Sequence, residues 1–93
     1  MAANAHIVGW GYYLPQRCLD NKELESWLDT SDEWIRSRTG IRERRIASAE
    51  ESTASMAIEA AKQALEVAAL DPRRLDLIIV ATMSPAYVFP ATA

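Results

Sequence analysis

Cysteine is nearly missing from this chain, and Cys18 alone cannot close an internal disulfide. The fold is therefore expected to rest on packing, in a reducing, cytoplasmic setting. Histidine is as scarce, with His6 the only one. That excludes an HExxH metal site and leaves Cys18 without the neighbouring imidazole a thiol nucleophile uses. His6 reads as a strand-end residue, Cys18 as a small apolar loop residue between Pro15 and Asn21. No apolar run approaches the ~20 residues that span a bilayer, and no basic patch precedes an apolar core at the start, so neither a membrane span nor a secretory signal is expected. Positive charge is not in excess either: ten Lys and Arg stand against 13 Asp and Glu, a net charge of −3. This argues against a protein that coats nucleic acid or an anionic membrane. Glycine-rich phosphate loops are absent, and the GWG at Gly9 to Gly11 lacks the third glycine and helix start of a dinucleotide fingerprint.

What remains is a globular composition, 49% hydrophobic and 25% charged over 93 residues, enough for one domain or part of one. The most specified stretch is Asp29 to Ala47, DTSDEWIRSRTGIRERRIA. Thr30 and Glu33 have the capping-box spacing, which predicts a helix over Ser31 to Thr39. Asp32 and Glu33 complement its positive end, and Gly40 supplies a left-handed stop. Trp34 and Arg38, four residues apart, then share one helix face. Two readings fit that pair. An indole beside a guanidinium is a stacking platform and phosphate contact for a nucleotide-bearing ligand, or a packed tryptophan under a snorkelling arginine; on spacing alone the packed reading leads. The arginines at 42, 44 and 45 that follow could meet phosphates or an acidic partner, with Glu43, Glu50 and Glu51 near enough to neutralise part of the cluster.

Around this stretch the pattern is that of an α/β protein. Ala5 to Leu14 is rich in β-formers and reads as a first strand, whose glycines at 9 and 11 fall on one face where another backbone can approach. Asn21 is placed to cap a short helix through about Leu28, in which Leu24, Trp27 and Leu28 recur at helical spacing and Trp27 is a core residue. Glu51 to Leu70 is the longest helix, with Ile58, Ala61, Leu65 and Ala68 inward, and Asp71-Pro72 ends it. Leu77 to Ala81 is a continuous apolar run typical of a parallel strand covered on both faces. Strand, helix and apolar strand in this order make a βαβ grammar with a mixed sheet. A strand buried on both faces needs two layers of cover, and one long helix supplies one, so residues 1–93 are expected to be an incomplete piece of a larger protein.

The same residues carry a resemblance that covers essentially the whole chain. YLP at Tyr13 to Pro15, the asparagine and EL of Asn21 to Leu24, the block Asp29 to Ile41, Arg44 to Ala47, EST and MA within Glu51 to Ala57, DLIIVAT at Asp76 to Thr82 and FPATA at Phe89 to Ala93 are similar to the amino-terminal part of β-ketoacyl-acyl-carrier-protein synthase III. The resemblance implies a thiolase-like fold of two duplicated α/β halves, of which residues 1–93 are the amino-terminal portion. It implies a cytoplasmic, homodimeric enzyme that initiates type II fatty acid synthesis by decarboxylative Claisen condensation of an acyl-CoA with malonyl-acyl carrier protein. Coenzyme A enters there as a thioester substrate, and no cofactor is implied. Trp34 and Arg38 match the residues that stack on the adenine and meet the phosphates of coenzyme A, and Thr30 matches a threonine near the adenine. With the resemblance, the ligand reading of this face takes the lead. Phe89 matches a residue that reaches across the dimer interface to close the partner's acyl pocket. The family's cysteine, histidine and asparagine are matched by neither Cys18 nor His6 and are expected beyond Ala93, so the 93 residues alone are not expected to catalyse. Two other readings stand beside this one: a related ketosynthase of secondary metabolism, and a non-catalytic α/β module whose Trp34–Arg38 face binds a nucleotide or a partner helix.

Overall fold

The computed structural model describes residues 3–85. The chain divides into two compact units, Leu14–Glu50 and a second made of Met1–Tyr13 with Glu51–Ala93. In the first, strand β1 (Arg17–Asp20) runs into helix α1 (Asn21–Glu25), then helix α2 (Asp32–Thr39) and strand β2 (Glu43–Ile46). β1 and β2 pair antiparallel with Cys18 opposite Arg45 and Leu19 opposite Arg44. Three of these elements contribute a buried side chain to the core, Leu19, Leu24 and Ile35, and Ile46 of the fourth packs against them.

These boundaries follow from local chemistry. Asp20 caps α1 by accepting the backbone N–H of Glu23 at 2.8 Å, so Asn21 is the first helical residue and not the cap. α1 stops at Glu25 and does not reach Leu28. Trp27 thereby loses the helical spacing that would turn it inward, and it is exposed. Ser31, not Thr30, caps α2, its hydroxyl accepting from Trp34 N–H at 3.1 Å. The expected glycine stop is present: Gly40 adopts φ 74° and its N–H donates to the Arg36 carbonyl at 2.8 Å. Cys18 lies in β1 and not in a loop.

In the second unit, helix α3 (Thr53–Ala68) begins with a reciprocal Ser52–Ser55 box, Ser55 N–H to Ser52 Oγ at 3.1 Å and Ser52 N–H to Ser55 Oγ at 2.8 Å. It ends at Ala69 with φ 53°, and a 3-10 turn follows at Pro72–Arg74. The glycine pair does what its spacing implies. A Cβ at Gly9 would lie 2.4 Å from the Ala64 carbonyl oxygen, and one at Gly11 would lie 2.2 Å from that of Ala60. Beyond its first turn, which is half-buried throughout, the half-buried stripe of the helix is Ala57, Ala60, Ala64, Leu65 and Ala68. Ile58 and Ala61, expected inward, are exposed, because the face that meets the glycines is the alanine face.

Neither Ala5 to Leu14 nor Leu77 to Ala81 forms a ladder among the described residues, and the sheet observed is the β1–β2 pair. A strand needs a partner to satisfy its backbone groups. β1 and β2 find one in each other, whereas Ile7, Leu77 and Ile79 stay exposed.

The two helix stops make opposite predictions. A left-handed conformation costs an L-residue roughly 1–2 kcal/mol, which glycine avoids. Gly40 has open space at its Cβ position, so Gly40→Ala should destabilise the full-length protein by about 1 kcal/mol through backbone strain alone. Ala69→Gly should be neutral to stabilising by up to about 1 kcal/mol. Urea denaturation of both variants checks this, and a loss of stability in Ala69→Gly larger than in Gly40→Ala would refute it.

Candidate ligand-binding site

The site begins with α2, eight residues long and fixed at both ends. Its first turn carries Asp32 and Glu33, its last Arg36 and Arg38, which places each charge where the helix dipole favours it. Asp32 and Arg36 pair along one side, Oδ2 to Nε at 2.8 Å. Trp34 and Arg38 form the second i,i+4 pair: the Arg38 guanidinium carbon sits 5.3 Å from the centre of the indole ring, within cation–π range. Among the described residues Trp34 is 53% exposed. One face meets the guanidinium while much of the side chain stays open to solvent. Among the described residues Arg38 makes no ion pair, whereas Arg17 is paired with Glu23 and Arg36 with Asp32.

Beside the indole lies a shallow hollow of about 320 Å³ lined by Asp29, Thr30, Ser31 and Trp34. Thr30 and Trp34, the expected neighbours of an adenine, therefore line one depression, with Arg38 over the same ring. Thr30 is half-buried, its N–H held by the Leu28 carbonyl at 2.9 Å. Phe89 lies outside the described residues. Sequence reasoning missed Asn21, which is buried behind the helix and bonds Asp32 and Arg44. An asparagine ahead of a helical run reads as a cap, and only tertiary contacts give it another role. The Asn21 amide holds the Asp32 carboxyl below its ordinary value; burial opposes this, and the Arg36 guanidinium reinforces it.

Cys18 has a different environment from a nucleophile. Its thiol is hydrogen-bonded to the Glu43 side chain, which pushes its pKa up and so disfavours the reactive thiolate. His6 is exposed in the other unit. Among the described residues no group of three or more His, Cys, Asp or Glu could hold a metal, and no helix is long and apolar enough to cross a membrane.

No protein-family model matches the chain. Curated relatives do. It is 56% identical over 89 residues to a β-ketoacyl-[acyl-carrier-protein] synthase III of Caldanaerobacter subterraneus, covering 96% of this chain and 27% of that protein. It is 58% identical over 87 residues to the one of Aquifex aeolicus, covering 94% and 28%. Among solved structures, 3-oxoacyl-[acyl-carrier-protein] synthase III from Aquifex aeolicus superposes with a TM-score of 0.87 at 57% identity, over 94% of this chain and 28% of that one. The priming β-ketosynthase of the R1128 polyketide pathway gives 0.85 at 43% identity, over 92% and 26%. At such identities the likeness carries sequence as well as shape, and the architecture is part of the thiolase-like α/β fold of condensing enzymes. More narrowly, the chain belongs to the β-ketoacyl-[acyl-carrier-protein] synthase III family. It spans a little over a quarter of the length of the relatives it matches.

Proposed function

We propose that these residues form the coenzyme-A-facing portion of a condensing enzyme that initiates type II fatty acid synthesis. In the complete protein an acyl group passes from coenzyme A to a cysteine and then joins malonyl-acyl carrier protein with loss of carbon dioxide. The observation that carries this reading is the half-exposed Trp34, with Arg38 over its ring and Thr30 lining the same hollow. A flat aromatic with an open face takes a base by stacking, and an arginine free of carboxylates takes phosphate through charge-assisted hydrogen bonds. Thr30 and Trp34 hold the adenine in this reading, and Arg38 moves from the indole to the phosphates. Coenzyme A is a substrate throughout, with no cofactor needed. The nucleophile is assigned to another part of the enzyme, because Cys18 lies in strand β1 and its unit, Leu14–Glu50, contains no histidine. The relatives' name, which includes acyl carrier protein, supports that protein as the second substrate. The enzyme is read as a cytoplasmic homodimer in which Phe89 closes the partner's acyl pocket.

A second reading, a priming ketosynthase of secondary metabolism, is favoured by the R1128 neighbour. The higher identity to the Aquifex synthase puts the fatty-acid role first. Supplying the full-length protein with acyl-CoA and malonyl-acyl carrier protein tests the proposal. Release of carbon dioxide with formation of a 3-oxoacyl-carrier protein is expected, and none with acetyl, branched or longer primers would overturn it.

A further inference from the structure

Asn21 is 1% exposed, the one polar residue buried among those described, and its side-chain amide is well occupied. Nδ2 donates to Asp32 Oδ1 at 2.9 Å and to the Ile41 carbonyl at 2.8 Å, while Oδ1 accepts from Arg44 Nη1 at 3.0 Å. Its backbone N–H donates to the Arg42 carbonyl at 3.2 Å. Asp32 is the first residue of α2 and Ile41 follows the Gly40 stop. One amide thus clamps the start of α2, the chain just past its end, and β2.

Asp32 is held further by Arg36 and, through its backbone N–H, by Glu25 Oε1 at 2.7 Å. Successive helical residues are about 100° apart, so residues two apart face nearly opposite ways. The Asp32–Arg36 stripe and the Trp34–Arg38 stripe are offset by two residues. Turning the first toward Asn21 therefore turns the second outward, with the indole at the edge of the hollow. An amide is suited to such a clamp, since it donates twice and accepts once without adding a buried charge.

From this we infer that Asn21 is a positioning residue, which sets the rotation of α2 about its axis and thereby aims the Trp34–Arg38 face at the adenosine end of the acyl-CoA. The inference rests on the ligand reading given above and adds to it a residue that touches no ligand. Asn21→Asp keeps the shape but replaces the donor to Asp32 and Ile41 with a carboxylate, placing like charges together.

Steady-state kinetics of the full-length enzyme provide the test. Asn21→Asp should raise the KM for acyl-CoA about tenfold while kcat and the KM for malonyl-acyl carrier protein stay within about twofold, since an unpaired buried group disturbs only what it holds. Combined with Trp34→Ala it should add little, because both changes remove the same contact. Equal losses for both substrates, full additivity, or no effect would overturn the inference. Should Asn21→Asp fail to fold, Asp32→Ala cuts the same tether from the half-buried end and should give the same split between substrates. If Trp34→Ala raises the KM and neither tether variant does, only the positioning role falls. If Trp34→Ala leaves it unchanged, the ligand reading falls and takes this inference with it.

Discussion

Replacing Trp34 with alanine in the full-length protein should raise the KM for acyl-CoA by roughly fivefold to 150-fold, the span that corresponds to about 1–3 kcal/mol of stacking per base. Use of malonyl-acyl carrier protein should change by no more than about twofold, since an acyl carrier protein brings no adenine to stack. The split between substrates is the informative quantity. Trp34 is half exposed and stands apart from the Leu19, Leu24 and Ile35 core, so its truncation leaves no internal cavity and should move the melting temperature little. A structural tryptophan would behave in the reverse way, lowering stability and impairing both substrates together. Arg38 adds a second consequence. With the indole gone the guanidinium loses the ring it lies over before binding and samples more rotamers in the free protein, so part of the loss is the entropy of fixing that side chain. Equal losses for the two substrates would count against an adenine contact.

The parts of this site that are legible in the sequence are those written over a few residues. A glycine after a helical run, acids in the first turn and a tryptophan four residues before an arginine all reappear, at Gly40, Asp32, Glu33, Trp34 and Arg38. Thr30 and Ser31 are adjacent hydroxyls, and either could cap α2. The N–H of Trp34 decides for Ser31, which frees Thr30 to line the hollow. Trp27 departs from expectation because three apolar residues at helical spacing mean a buried face only if the helix continues, and α1 ends at Glu25. Asn21 shows where local reading stops. Its partners Asp32, Ile41 and Arg44 lie 11, 20 and 23 residues away, and no spacing in the sequence announces contacts that only the closing of β1 on β2 creates. The two expected strands form no ladder among the described residues for a related reason. Apolar β-formers specify an extended chain, but a ladder also needs paired backbone groups, and no ladder forms at residues 5–14 or 77–81 among those described.

The extended habit of the first of these segments survives without the ladder, and it leads to the largest expected effect on stability. Gly9 and Gly11 turn toward α3 while Trp10 and Tyr12 between and beyond them are exposed, the period-2 alternation of a strand. Gly11→Ala would set a methyl 2.2 Å from the Ala60 carbonyl oxygen, 2.8 Å from Ala64 N and 2.9 Å from Gln63 Cβ. Two of those three atoms are backbone, and they belong to the hydrogen-bond ladder of α3, so neither can yield without breaking a helical bond. Relief must come from the segment itself, which would also pull Tyr12 N–H from its 2.8 Å bond to Gln63 Oε1. The expected cost is about 1–3 kcal/mol for overpacking, and more if the bond to Gln63 is lost as well. Chemical denaturation of full-length Gly11→Ala measures it. A compensating Ala60→Gly should not rescue the loss, because the obstructing atom is a carbonyl that glycine also carries. Rescue by Ala60→Gly, or a Gly11→Ala variant within about 0.5 kcal/mol of its parent, the usual range for a surface change, would show that the backbones do not meet there.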